Sequence, residues 1–306
     1  MTAPGRIALT LAALLVGLLP ASGVRAQETA LRSTLFTSDD GDDTSVVKAS
    51  AGLLFDYDGP GSYRGLVAES VRIRPLGGER WNDERLYYAF AREGTTSLKG
   101  LIGTDGHTLL GSVSAVREGS VRQEYFIERD RLETRRGVQG DGLFHTFAGA
   151  AFDVPLNAGG RQQLTLLGGL QDFSGDNLRM HLRARYIAVV APESGVSLQL
   201  RTRAFRNTHP FEADYYSPDW FVEAMPAVQM RRFHRRWMFS AAAGWGAQRG
   251  SGGGWQEARL VEVSANSPVV EGKGHVRLAA LYSNTPVGSG ASYGYRQLTV
   301  EWVQPL

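Results

Sequence analysis

The sequence predicts an all-β protein, a transmembrane antiparallel β-barrel of about sixteen strands, and three observations carry that expectation. Segments with two-residue apolar/polar alternation recur along the chain, each closed by a cluster of Gly, Asp, Asn, Pro or Ser. They are longer than the five or six residues usual in soluble sheets and reach the roughly 9–11 tilted residues that a membrane-crossing strand requires. Beyond the N-terminus there is no apolar run of transmembrane-helix length, no heptad and no helix-period stripe.

The chain opens with a leader. Arg6 precedes an apolar run from Ile7 to Leu19, and small residues follow up to Val24-Arg25-Ala26. That pattern reads as a secretory signal peptide over 1–26, cleaved before Gln27, with the barrel in 27–306. A membrane anchor needs about 20 apolar residues, and this run is shorter and broken by Thr10, Gly17 and Pro20. The leader takes Arg6 and Arg25 with it, so of the chain's 33 basic residues 31 remain against 31 acidic ones. Such a balance gives no net positive footprint for nucleic acid. The absence of Cys excludes disulfides, thiolate metal sites and cysteine nucleophiles. Lysine is confined to Lys48, Lys99 and Lys273, so almost all positive charge is the planar, forked guanidinium.

Turn clusters divide the remainder into strands at 29–37, 45–57, 62–74, 85–92, 97–103, 107–117, 121–132, 143–154, 161–172, 177–190, 195–206, 220–231, 236–248, 255–266, 274–283 and 293–304. The number is even, as single-chain bacterial barrels require; paired miscounts leave 14 or 18 open. In the second strand Val47, Ala49, Ala51, Leu53, Phe55 and Tyr57 share the apolar face against Lys48, Ser50 and Asp56. In the tenth, Met180, Leu182, Ala184 and Tyr186 oppose Arg179, His181, Arg183 and Arg185. In the thirteenth, Trp237, Phe239, Ala241, Ala243 and Trp245 oppose Ser240, Gly244 and Gln248. Connections after even strands, at 58–61, 118–120, 191–194 and 232–235, are expected to be the short periplasmic ones, although 267–273 is longer. Those after odd strands, at 75–84, 133–142, 207–219 and 284–292, are expected to be the long outer ones. Tyr215, Tyr216, Trp220, Trp237, Trp245, Trp255, Tyr293, Tyr295 and Trp302 fall near strand ends or outward positions, where aromatic side chains gather at a lipid–water interface.

The hairpin from Asn177 to Arg206 is the most informative polar constellation. Alternation puts Arg179, His181, Arg183 and Arg185 on one face, with Gln199, Arg201 and Arg203 beside them on the next strand. Each Arg would cost about 2–4 kcal/mol at the bilayer midplane on a lipid face, so these side chains are expected to surround a wet lumen. Glu223 on the following strand is the nearest carboxylate, and Arg122, Glu124, Glu128 and Asp130 share the inward parity of the seventh strand. Basic and acidic arcs of this kind either orient a hydroxyl-rich solute or form ladders that only stiffen the wall. The histidines (His107, His145, His181, His209, His234 and His275) sit in no nucleophile elbow, zinc-protease pattern or other mechanistic motif. No catalytic residue, metal site or cofactor is therefore expected. His209 with Glu212 and Asp214 has a cation's chemistry, but a solvated outer loop is the plainer account.

One stretch resembles a known family. Tyr215-Tyr216-Ser217-Pro218 precedes a strand containing Pro226. The basic run Arg231-Arg232-Phe233-His234-Arg235-Arg236 and a Gly-bearing strand to Gly246 follow. Between about Asn207 and Gly250 this order resembles the C-terminal barrel of outer-membrane exopolysaccharide channels. Notable among these is the cellulose-export subunit, with the poly-N-acetylglucosamine export porin and small stand-alone barrels as relatives. The resemblance implies residence in the outer membrane, among its lipids, and export of a hydrophilic exopolysaccharide. Those larger channels carry tetratricopeptide repeats ahead of the barrel, and no 34-residue helical repeat is present here. A separate periplasmic scaffold and an inner-membrane synthase complex are therefore the expected partners. A general diffusion porin for small solutes is the first alternative, and an outer-membrane lipid- or polymer-modifying enzyme is the second.

Overall fold

In a computed structural model, residues 29–41, 43–139, 142–270, 272–285 and 294–306 are described. The expected signal peptide at 1–26 lies outside them, as do Tyr293 and most of the expected connection 284–292. The strands are β1 (Ala30–Asp39), β2 (Ser45–Phe55), β3 (Tyr63–Arg74), β4 (Trp81–Arg92), β5 (Thr96–Thr104), β6 (Leu109–Arg117), β7 (Arg122–Arg131) and β8 (Phe144–Pro155). They continue as β9 (Gln162–Phe173), β10 (Leu178–Ala191), β11 (Val196–Asn207), β12 (Trp220–His234), β13 (Trp237–Gly250), β14 (Gln256–Asn266), β15 (His275–Ser283) and β16 (Tyr295–Pro305). Each pairs antiparallel with its neighbours in sequence, and β1 pairs with β16 from Ala30↔Pro305 to Asp39↔Arg296, which closes the barrel. The strand number is sixteen, and closure leaves no strand edge unpaired.

Two boundaries differ by three or more residues from the expected ones, each for a physical reason. β4 begins at Trp81 rather than 85, because Asn82, Asp83 and Glu84 pair in register with Arg72, Val71 and Ser70. Both faces are polar there, so alternation does not mark the strand. β12 runs on to His234, and only Arg235-Arg236 connect it to β13. Both take left-handed backbone, with φ of 48° and 66°, the two-residue geometry that matches the twist of a hairpin.

Loop lengths follow the expected asymmetry only in part. The long connections 132–143 and 208–219 follow odd strands, but 105–108 and 174–177 are short, whereas 56–62 and 267–274 after even strands are not.

Inward and outward positions alternate around the closed register, which shifts between Val189 and Ala191 where β10 pairs with β11. The outward set is apolar and exposed on strand after strand: Leu35, Leu66, Leu86, Ile102, Ile127, Leu170, Leu182, Leu198, Val261 and Leu298 are examples. Trp245, 66% exposed, stands on the same face, and Trp255, 63% exposed, lies just ahead of β14. A continuous apolar exterior of this extent is incompatible with water and is what acyl chains require. One irregularity falls at Pro226, which has no N–H to give the ladder. There the pairing with β13 skips from Ala224↔Ala247 to Ala227↔Gly244. Gly246 permits this close approach, because a Cβ on it would run into the Ala224 carbonyl.

Several expected placements are corrected. Tyr57 does not join the lipid face: Asp56 has φ 50°, the chain turns, and Tyr57 is buried inside against Tyr63 at 6.4 Å between ring centroids. Tyr215 is buried under a loop, and Tyr295 lies on the inward parity, opposite Ser283. Tryptophans, not these tyrosines, hold the outward positions.

Candidate functional site

The lumen is the only large polar interior that a closed barrel offers, and its two half-walls differ. On β1–β8 the inward charges of β2, β3, β4 and β7 form a cross-linked network. Lys48 Nζ on β2 donates to Asp130 Oδ2 on β7 at 3.0 Å and lies 2.9 Å from Glu133. Arg85 on β4 donates to Asp130 Oδ1 at 2.9 Å and to Asp83 at 2.8 Å, and Glu69 lies 3.5 Å from it. These contacts reach across the lumen, since β2 and β7 are not neighbours in the wall. Apolar packing brackets the network: Leu54, Tyr63, Val67 and Tyr87 form one cluster, and Val46, Val71 and Ile73 another. Arg122 bonds Asp153 and Glu124 at 3.3 and 3.0 Å, as its parity suggested. Glu128 lines two cavities of about 350 and 340 Å³ beside the network and has no ion pair among the described residues.

On β10–β12 the expected register holds. Arg183 lies opposite Arg203, Arg185 opposite Arg201, and Arg203 opposite Glu223. Arg201 grips Glu262 of β14 with two parallel hydrogen bonds of 3.0 and 2.9 Å. Arg203 reaches Glu223 at 3.5 Å, and Thr285 donates to the same carboxylate at 2.6 Å. Arg185 has only neutral partners, donating to Gln199 at 3.0 Å and Gln229 at 3.3 Å. Arg183 makes no hydrogen bond or ion pair with any described residue; its guanidinium lies 5.9 Å from the Phe147 ring. A cavity of about 480 Å³ collects these groups, with Thr165, Ser283, Thr285 and Tyr295 supplying hydroxyls.

Towards the long-loop end the wall becomes aromatic. His181 Nε2 lies 2.9 Å from Gln171 Oε1, and its ring lies between Phe147 and Phe205, which continues to Phe221. Arg179 is packed among the rings of Phe173, Phe205 and Tyr215, and donates to Asn207 at 2.9 Å and to the Tyr216 carbonyl. It is a loop anchor, not an open lumen cation.

That anchor holds the Tyr215-Tyr216-Ser217-Pro218 segment, in which Tyr215, Ser217 and Pro218 are buried. Tyr215 stacks on Phe173 at 4.3 Å, accepts from Asn177 at 2.9 Å and donates to Glu212 at 3.2 Å. Burial pushes its hydroxyl up to about 12, so it remains a protonated donor at neutral pH. Immediately before it, Asp214 accepts from Thr134 Oγ1 and from the Arg136 backbone N–H, both at 2.7 Å, at the start of a five-residue helix α1 (Arg135–Gln139). Val138 of α1 packs on Val46, Val71 and Ile73 inside the barrel. The two long connections are thereby braced to each other over a cavity of about 430 Å³. His209 bonds the Asp176 carbonyl at 2.7 Å and Glu212 accepts from the Asp176 N–H at 2.5 Å. His209, Glu212 and Asp214 are thus spent on loop structure, and no metal-holding cluster exists among the described residues.

Sequence reasoning missed Lys48, Arg85 and Glu262 as lumen groups, although their parity marked them. Their partners lie 82, 45 and 61 positions away in sequence, beyond what hairpin pairing predicts.

No protein-family model matches the chain, and no curated protein matches its sequence. Solved structures do. One described as a bacterial polysaccharide outer membrane secretin superposes with a TM-score of 0.67 at 15% identity, over 91% of this chain and 98% of that one. The likeness is one of fold. OprD of Pseudomonas aeruginosa gives a TM-score of 0.43 at 10% identity, over 91% and 95% of the two chains. The KdgM porin in complex with disordered oligogalacturonate gives 0.37 at 8%, over 89% and 98%.

Proposed function

We propose that this chain is an outer-membrane channel that passes a hydrophilic exopolysaccharide. The observation that carries the reading is the contrast between an apolar outer wall and an inner wall of guanidinium, carboxylate, amide and hydroxyl groups around several cavities. Transport of a polymer needs no bond to be made or broken. It needs many weak contacts, so that each sugar can enter and leave. Arg183, Arg185, Gln199, Arg201, Arg203, Glu223, Arg122, Glu124 and Glu128 supply such contacts, and His181 belongs to the buried aromatic layer above them. The fold it shares with a polysaccharide secretin supports the same reading. A periplasmic scaffold and an inner-membrane synthase complex deliver the chain, and the braced long loops must part at its exit.

Single-channel recording in planar bilayers tests the proposal. Purified barrel is expected to give discrete current steps that long oligosaccharides block and monosaccharides do not. Steps indifferent to chain length mark a general diffusion porin, and absence of current and of saccharide binding overturns the channel reading.

A further inference from the structure

The two half-walls carry charge differently, and the difference bears on what the polymer is. On β1–β8 Lys48, Arg85 and Arg122 each hold more than one carboxylate, and Lys99, lining a separate cavity, is the inward cation there without an ion pair among the described residues. On β10–β12, Arg183 and Arg185 have no carboxylate partner, and the Nε of Arg203 is buried without an acceptor. A guanidinium presents five N–H donors and no acceptor. Inside a low-dielectric wall, donors left without an anion are costly unless water or a ligand takes them. Arg183 and Arg185 face the same cavity as the Arg203 guanidinium and a set of hydroxyl groups. Four arginines, Arg183, Arg185, Arg201 and Arg203, line that cavity against two carboxylates, Glu223 and Glu262, so it combines surplus positive charge, forked geometry suited to planar carboxylate and neutral donors and acceptors suited to sugar hydroxyls.

We propose that the β10–β12 wall is a carboxylate-binding subsite, and that the exported chain is an acidic polysaccharide with uronate-type carboxylates. Arg183 and Arg185 bind the carboxylate directly. Arg203 adds positive charge, while Arg201, locked on Glu262, shapes the wall. The inference rests on the channel reading and narrows its substrate class. The subsite works by transient exchange: each sugar's carboxylate replaces water on Arg183, and the next sugar displaces it as the chain advances.

Blockade by two matched probes separates this inference from its parent. A six-sugar β-1,4-oligoglucuronate and the cello-oligosaccharide of equal length differ at each ring only in a carboxylate against a hydroxymethyl group. The oligoglucuronate is expected to block at about tenfold lower concentration in 0.1 M salt, with the preference shrinking at 1 M as the charges are screened. Arg183→Gln with Arg185→Gln is expected to cut the preference to below about threefold while leaving cello-oligosaccharide blockade in place. Arg206→Gln, an outward residue near the rim, controls for net charge. Arg183 has no protein hydrogen bond to lose, so the Arg183→Gln single variant remains informative if the double variant does not fold. Equal blockade by both probes, or a preference unchanged in Arg183→Gln, overturns the carboxylate subsite and leaves the channel standing. No current and no binding of either probe overturns both.

Discussion

The halves of the lumen wall, β1–β8 and β9–β16, are built from the same alternation and the same preference for arginine, yet they use charge in opposite ways. In the first half, Asp130 lies between Lys48 and Arg85, and three carboxylates surround one guanidinium that is 2% exposed. Such a network fixes geometry across the barrel, because no member can leave without stranding a buried charge. In the second half, Arg183 and Arg185 make no ion pair with the carboxylates of their own cavity, because Glu262 is held by Arg201 and Glu223 by Arg203 and Thr285. Inward arginine is therefore not a functional signal by itself. The signal is an inward arginine whose neighbours leave its donors unspent.

The contrast makes its largest prediction at Arg85. Replacing it with leucine leaves Glu69, Asp83 and Asp130 facing one another, and unfolding in urea from lipid vesicles should show a loss of about 3–5 kcal/mol. A loss below about 1 kcal/mol would mean that the network is hydrated and that the halves do not differ as described.

Asp214 joins the halves at the long-loop end, since its own loop rests on Phe173 of β9 whereas α1 rests on β2 and β3. Asp214→Ala removes the acceptor for Thr134 and for the Arg136 N–H, at a cost of about 1–2 kcal/mol. Hydrogen exchange should then accelerate roughly tenfold over 134–139 while the β10 and β11 amides keep their protection. Acceleration spread evenly through the barrel would show that the brace supports the wall and does not merely tie two loops.

Much of this was legible in the sequence. Strand count, inward parity and the facing of Arg183 with Arg203 follow from a period of two and a short turn. The exceptions have local causes. Tyr57 escapes alternation because one left-handed residue precedes it, and β4 starts early where both faces are polar. The cross-lumen partners are a different matter. Lys48 with Asp130 and Arg201 with Glu262 meet only once the sheet has closed, and no local pattern encodes the shape of the closed section. The same holds for Tyr215, whose hydrophobic ring looks like an interface anchor until the loop that carries it folds inward.

The smallest prediction sharpens the comparison within the second half. Arg201 and Arg183 are both inward and one strand apart, but Arg201 holds Glu262 with two bonds and Arg183 holds nothing. Arg201→Gln should lower stability by about 1–3 kcal/mol, and its double-mutant cycle with Glu262→Gln should return a coupling of about 1 kcal/mol. Arg183→Gln should change stability by less than about 0.5 kcal/mol, and relief of its repulsion with Arg203 could make the variant slightly more stable. An arginine that can be removed without loss to the fold, at the mouth of an open polar cavity, is retained for something other than folding. If Arg183→Gln instead costs as much as Arg201→Gln, the side chain has a structural partner in solution and the distinction between the two arginines disappears.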